Sequence, residues 1–497
     1  MLITGLALGA VLGFVMQRGR FCVTGFLRDI FTQRSWRGFV ALLIVISVHA
    51  IGLAALTSAG VITPEYKELA PLAVIVGGII FGLGIVLAGG CASGTWYRSG
   101  EGLIGSWIAL VFYALSAAAM KTGFLGGLQN SLKDRTVGLT SIHASLGISI
   151  WPLVIALSAL TAFLAVRYLR EEFSGPRPVA LAPRKSGLAH ILAEKPWHVY
   201  ATAAIVGALG VLAWPLSAAT GRNDGLGITT PSSNLANYVV TGDTERFDWG
   251  VLLVLGILVG SFIAAKASGE FRLRVPDATQ GARSVVGGIF MGVGAAWAGG
   301  CTVGNGMVQT SLFSYQGWLA LASIAAGVAI AAKLWLKPSA PSLNDVPSTP
   351  STTNDTAVSA APVASAGPVA SAATSSVSLP SSDGAAGTEA SPLAGAFAVA
   401  PVALLDRSVV KQEDGKLKPL GNGRYELDTV GAVCPFPLIE AKDAIGKIEV
   451  GEELVIPFDC TQATDAIPRW AAKDGHEVTN FEQTGEAGWT ISVRRGK

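Results

Sequence analysis

The chain holds five cysteines, Cys22, Cys91, Cys301, Cys434 and Cys460, and two of them close the same short motif: Ala88-Gly89-Gly90-Cys91 and Ala298-Gly299-Gly300-Cys301. No two cysteines are close in sequence and no C-x-x-C occurs, so neither a zinc site nor a disulfide framework is indicated. Glycine lacks Cβ and lets backbone approach backbone or ligand. It also breaks a helix and frees amide N–H groups, which a bilayer tolerates only where they face protein or a water-filled cavity. An anion is the natural partner of such a cluster, reinforced by any helix N-terminus. Cys91 and Cys301 would then point at the ligand, with Gly89, Gly90, Gly299 and Gly300 shaping the turns and Ser93, Thr95, Thr302 and Asn305 offering polar contacts. Glycine also serves tight helix packing, and a buried cysteine can be a small hydrophobe. Recurrence at corresponding positions favours the binding role. Cys22, in Gly19-Arg20-Phe21-Cys22, is balanced between that role and a structural one. Arg20, Arg28 and Arg98 are candidates for attracting an anion, but a solvated or snorkelling side chain is the simpler reading. The five histidines are scattered, so no metal and no cofactor is expected.

The motif belongs to a longer internal repeat. Residues 77–91, GGIIFGLGIVLAGGC, match residues 287–301, GGIFMGVGAAWAGGC, at nine of fifteen positions, and Gly94 and Gly304 extend the match. A weaker echo links Gly19-Arg20-Phe21 with Gly269-Glu270-Phe271. Duplicated segments of this kind characterise transporters, whose substrate sites lie at the repeat interface on broken helices.

The elements that must position these residues are membrane helices. Of the 497 residues 51% are hydrophobic and only 14% charged, against about 25% charged in soluble domains. The net charge of +2 gives no indication of nucleic-acid binding. A span needs about 20 mostly apolar residues. Candidates are 1–17, 38–57, 72–90, 102–120, 148–168, 198–216, 249–267, 284–300 and 316–336, about nine, with some short or Gly-rich enough to be re-entrant. The first is read as a helix rather than a signal peptide, since no positive charge precedes it and no A-x-A site follows. Lys and Arg concentrate in 18–37, 167–197 and 266–283, with Lys333 and Lys337 flanking the last span. Taking these segments as cytoplasmic puts the N-terminus outside and the C-terminus inside. The segments 72–90 and 284–300 then run in opposite directions, making the repeat an inverted one. Lys121, Lys133 and Arg135 fit this arrangement least well.

From Pro338 to Leu405 no Lys or Arg occurs, and Ser, Ala, Pro, Thr, Val and Gly dominate. Such a composition cannot offset its ordering entropy, so 338–420 reads as a disordered linker between a membrane domain, 1–337, and a small domain, 421–497. Leu393–Leu405 is apolar enough to dock. Strands are predicted at 425–430, 453–458, 477–483 and 489–494 and helices at 435–448 and 463–474, a βαβαββ order typical of a two-layer α+β domain.

Residues 1–337 resemble the YeeE/YedE family of sulfur transporters. The likeness rests on Gly19-Arg20-Phe21-Cys22, on Ala88-Gly89-Gly90-Cys91 with Ser93-Gly94, and on Ala298-Gly299-Gly300-Cys301 with Gly304-Asn305. It implies an hourglass-shaped bundle of inverted halves in which Cys22, Cys91 and Cys301 line a narrow thiosulfate path. A thiol is a weak, polarisable donor, and conduction needs sites that release as well as bind. The implied mechanism is therefore a hydrogen-bonded relay with no covalent intermediate. Residues 424–497 resemble TusA-type sulfur carriers, most closely the YeeD type. The likeness rests on Leu427-Asp428, Cys434-Pro435-Phe436-Pro437 and Asp459-Cys460-Thr461-Gln462-Ala463-Thr464. Pro435 suits a first helical position, which sets Cys434 at a helix N-terminus where the dipole favours thiolate. That thiolate can attack sulfane sulfur and keep it as a persulfide. Three roles stand open for Cys460: pairing with Cys434, accepting the persulfide, or none. Asp428 and Asp459 are candidate local caps.

The expected protein is a multi-pass protein of the bacterial inner membrane, an all-α polytopic domain fused to a cytoplasmic α+β domain. It takes up thiosulfate, captures sulfane sulfur on its own carrier domain and passes it to downstream sulfur-accepting proteins. Whether the C-terminal domain acts as an enzyme is open. The rival readings are a membrane-anchored sulfurtransferase and a transporter of a related sulfur or selenium anion.

Overall fold

The computed structural model describes residues 2–336 and 417–496; the expected linker and the Leu393–Leu405 segment lie almost wholly outside them. The first of these stretches is helical. It opens with α1 (Ile3–Arg18), α2 (Val23–Thr32), α3 (Arg37–Ser58), α4 (Pro71–Leu87), α5 (Ala92–Gly100) and α6 (Ile104–Lys121). It continues with α7 (Gly126–Lys133), α8 (Ile142–Leu146), α9 (Trp151–Ser174), α10 (Gly187–Ala193), α11 (Val199–Ala218) and α12 (Thr229–Thr241). It closes with α13 (Trp249–Ser268), α14 (Ala278–Ala298), a π-helical turn (Gly304–Gln309) and α15 (Tyr315–Trp335). Every one of the nine expected spans is a helix. Among the described residues eight segments are long and apolar enough to cross a membrane; α14, rich in Gly and Ala and opened by polar residues, falls below that mark.

The repeat is inverted and its seam is built from glycine. A Cβ on Gly77 would lie 2.7 Å from the carbonyl oxygen of Gly294, and one on Gly294 the same distance from that of Gly77. Gly84 and Gly287 make the same reciprocal pair at 2.8 and 2.9 Å. The low-numbered glycine of one helix thus meets the high-numbered one of the other, so α4 and α14 are antiparallel about a two-fold axis. Only residues without Cβ allow backbones this close. Each copy's next helix packs on the other copy's first: Gly78 and Gly82 of α4 face Ser323 and Ile324 of α15, and Gly288 and Gly292 of α14 face Ala109 and Tyr113 of α6. The repeat therefore runs on into α6 and α15. There Trp107, Ala109, Leu110 and Ala114 recur as Trp318, Ala320, Leu321 and Ala325, a match veiled by a one-residue change of offset.

The three Arg/Lys-rich segments gather on one face, which also carries the C-terminal domain: Arg20, Arg184 and Arg274 all bond to that domain. The segments between other spans interlock on the opposite face, where Leu69 bridges Val137, Asn223 reaches the Thr63 carbonyl, and Lys121 meets Thr230.

The C-terminal domain is a mixed five-stranded sheet in the order β1-β2-β3-β5-β4, with β1 (Leu417–Gly421), β2 (Arg424–Leu427), β3 (Glu453–Phe458), β4 (Glu477–Gly485) and β5 (Gly488–Arg494). Helices α16 (Phe436–Ile445) and α17 (Ala463–Asp474) cover it. The strand absent from the sequence reading is β1, which pairs with β2 across Asn422-Gly423 at positive φ, a strong hairpin signal. Strands β2 and β3 are parallel neighbours, so the loops that follow them leave the sheet at the same edge.

Candidate functional site

Each of the three membrane cysteines sits at a helix break. Cys22 is the extended residue before α2, Cys91 the extended residue before α5, and Cys301 follows Gly299, which closes α14 with φ +78. All three are free thiols, at most 2% exposed. The N–H groups of Gly25 and Gly94 turn back onto the sulfurs of Cys22 and Cys91, so each helix start presents amide to thiol. The two sulfurs converge on Gly94, where a Cβ would lie 3.3 Å from Cys91 Sγ and 3.8 Å from Cys22 Sγ. Tyr113, buried in α6, stands within electrostatic reach of both Cys91 and Cys301, and those two thiols belong to one buried cluster. Thr302 Oγ1 is fully buried without a partner beside Cys301. A buried hydroxyl left unpaired costs about 1–3 kcal/mol, which a ligand's oxygen would recover.

The remaining polar candidates divide. Ser93 Oγ lies 3.5 Å from Cys91 Sγ, whereas Thr95 bonds back to the Ala92 carbonyl. Asn305 holds its turn together, its Nδ2 donating to the carbonyls of Ala298 and Gly300 at 2.9 and 3.0 Å while Gln316 Nε2 donates to its Oδ1 at 3.0 Å. Arg98 overturns the snorkelling expectation. It is 6% exposed, donates to the Gly89 carbonyl, and points Nη2 at Cys22 Sγ 3.7 Å away. The helical break turns α5 back inside the bundle, so its arginine is buried against the Gly89 carbonyl and Cys22. Arg20 pairs with Glu270 and Thr464, and Arg28 with Asp29.

Beneath Arg98 lies a polar network that sequence reasoning missed. Gln17 Nε2 donates to Glu101 Oε1 at 3.3 Å and to Glu270 Oε2 at 2.6 Å. Both carboxyls are at most 5% exposed. Burial pushes Glu270 up, but Arg20 and Arg18 more than reverse it and hold it below the usual carboxylate range. Among the described residues Glu101 has no ion pair, and burial, aided by Glu270, raises it to about 7 against the pull of Arg274. The available signal was an acid alone between two apolar spans.

The C-terminal domain closes this end. Arg274 Nη1 donates to the Asp459 carbonyl at 2.6 Å, Arg469 pairs with Glu172 at 2.7 Å, and the Ala487 N–H meets the Gly269 carbonyl at 3.0 Å. A Cβ on Gly89 would lie 3.0 Å from Val433, the neighbour of Cys434. Cys434 and Cys460 form a disulfide with Cα atoms 6.3 Å apart. Pro435 is the cap of α16 rather than its first residue, so Cys434 stands one position further out. Asp428 and Asp459 cap the loop through the N–H groups of Val430 and Gly431. A chamber of about 50 Å3 is bounded by Arg98, Glu101 and Arg274 on one side and Cys434 and Cys460 on the other. A wider groove lined by Arg28, Lys195 and Lys442 joins Cys22 to Cys434 but excludes Cys460.

A family model for sulphur transport matches residues 18–330, and one for the sulfurtransferase TusA matches 425–495. The chain is 51% identical over 328 residues to the thiosulfate transporter TsuA of Escherichia coli, covering 66% of this chain and 93% of that protein. It is 32% identical over 335 residues to the protein of the same name from Spirochaeta thermophila, covering 64% and 94%. Over 70 residues it is 59% identical to the putative sulfur carrier protein TsuB of Escherichia coli, covering 14% of this chain and 93% of that protein.

Proposed function

Because the chain belongs to the sulphur transport family and ends in a TusA-type domain, we propose that it imports thiosulfate and captures its outer sulfur on Cys434. The observation that carries this reading is the meeting of the Cys91 and Cys22 sulfurs at Gly94 beside Arg98, with the unpaired Thr302 hydroxyl next to Cys301 at the other Gly-Gly-Cys turn. Weak thiol donors hold a soft dianion without trapping it. Arg98 supplies a strong attraction at the end where the anion leaves the bundle. Once there, the reduced Cys434 thiolate attacks the outer sulfur. The sulfur–sulfur bond breaks, sulfite departs with its electron pair, and a persulfide stays on Cys434. Consuming the ion at the exit pulls net flux inward. The clustering of Arg and Lys on the face that carries the C-terminal domain supports a cytoplasmic position for that domain, an N-terminus outside and residence in the bacterial inner membrane.

The test is uptake of labelled thiosulfate by the full chain in liposomes, for the native protein and for Cys91→Ala and Cys301→Ala. Each substitution is expected to cut the rate by about tenfold or more. Native rates in both variants would refute the relay.

A further inference from the structure

We infer that Cys460 is the resolving thiol of the C-terminal domain, so that the captured sulfur leaves the protein as hydrosulfide and the Cys434–Cys460 disulfide is the product of each turnover. This rests on the capture reading given above. Three observations carry it.

The pairing is built into the fold. Cys434 follows β2 and Cys460 follows β3, parallel neighbours whose loops exit at one sheet edge. The loops are tied together by Thr429 N–H to the Pro457 carbonyl at 3.1 Å and by Gly431 N–H to Asp459 Oδ1 at 3.0 Å. The 6.3 Å between the Cα atoms lies within the usual range for a bridge.

The two sulfurs have different surroundings. Cys434 lines the wide groove as well as the chamber, whereas Cys460 lines the chamber and not the groove. Cys434 is thus the sulfur open to the groove, and Cys460, confined to the chamber, is placed to attack its bridged neighbour and not to greet an outside partner.

An acceptor protein has no approach to Cys460, which the groove does not reach. Both cysteines are only 8% exposed beneath the docked face, which is fastened by Arg274, Arg469 and Ala487. A chamber of about 50 Å3 passes small ions and admits no second active-site loop.

The step balances. The persulfide anion on Cys434 has its inner sulfur attacked by Cys460; the bond between inner and outer sulfur breaks, and the outer sulfur leaves with the electron pair and the Cys460 proton as hydrosulfide. Two thiols are oxidised to a disulfide while one sulfane sulfur gains two electrons. A soluble dithiol reductant of the thioredoxin class resets the pair by thiol–disulfide exchange.

The test is a single turnover of the full-length protein in detergent, reduced, freed of reductant and mixed with thiosulfate. Sulfite, sulfide and the intact mass are followed. The native chain is expected to release both sulfite and sulfide in amounts matching the protein and to end as the disulfide. Cys460→Ser, repeated as Cys460→Ala to separate chemistry from folding, is expected still to release sulfite, but to lose sulfide release and keep one added sulfur on Cys434. Native protein that releases sulfite and retains the added sulfur overturns the resolving role and leaves capture standing. Sulfide release by both variants at the native level also overturns it. Absence of sulfite from the native chain overturns capture and resolution together.

Discussion

The two Gly-Gly-Cys turns share a sequence and a backbone but not a chemistry. At Gly89-Gly90-Cys91 the free carbonyl is closed by a cation, Arg98, which also faces Cys22. At Gly299-Gly300-Cys301 the corresponding work is done by the neutral amides of Asn305 and Gln316. With the repeat offset of 210 (287 − 77), Asn305 answers to Thr95 and Arg98 answers to Val308. Duplication thus supplied a symmetric frame of small residues, and a few positions outside the matching motif made it directional. One turn is closed by neutral donors and the other by a charge, the latter on the side that holds the C-terminal domain.

The frame itself is the most fragile part. Gly84→Ala sets a methyl within 2.7–2.8 Å of the Met291 nitrogen and the Gly287 carbonyl, both backbone. It is expected to cost about 1–3 kcal/mol or to prevent folding, read as loss of monodisperse protein or a lower melting midpoint. Gly127→Ala, at a site with no neighbour within 4 Å, leaves the midpoint in place. Next in size is the charge. Arg98→Met should lower thiosulfate uptake by about tenfold to a hundredfold in liposomes, since a charge-assisted contact worth about 1.5–3 kcal/mol is lost; unaltered uptake would mean the inner turn needs no cation. Asn305→Ala removes a donor from the Ala298 and Gly300 carbonyls, of which Ala298 keeps Gln316, and should destabilise by about 1 kcal/mol, seen in thermal unfolding with a smaller loss of uptake than Arg98→Met.

An effect confined to one pH window sharpens the picture of the inner end. Glu101 is raised to about 7 from an ordinary 4.5, so the folded state binds its proton more tightly than the unfolded chain. Stability from this group is full below about pH 4.5 and is lost as pH rises through about 7. The native chain should therefore weaken relative to Glu101→Gln across that window, by on the order of 3 kcal/mol at most. Parallel melting curves for the two from pH 5 to 8 would mean that Glu101 is ionised throughout.

Much of this was legible in the chain. Nine apolar stretches mark nine helices because hydrocarbon length sets helix length. The recurrence of Gly77, Gly84, Gly287 and Gly294 marked the repeat and the placement of Lys and Arg its inversion, while the meeting of these glycines in one seam came from the structure. The Cys434-Pro435-Phe436-Pro437 motif located a strand-to-helix loop, and Asp428 and Asp459 proved to be its local caps. All of these depend on local pattern. What lay beyond reach depends on partners distant in sequence. Whether Arg98 snorkels or turns inward depends on the direction α5 takes after the break. Whether Glu101 or Glu270 holds its charge depends on arginines 252 and 250 positions from Glu270. That Cys22 meets Cys91, and that Cys434 and Cys460 share a chamber under the bundle, follows from packing alone. Apolar length and missing side chains speak for themselves in one dimension; charge and thiol chemistry take their meaning from what folding brings within a few ångströms.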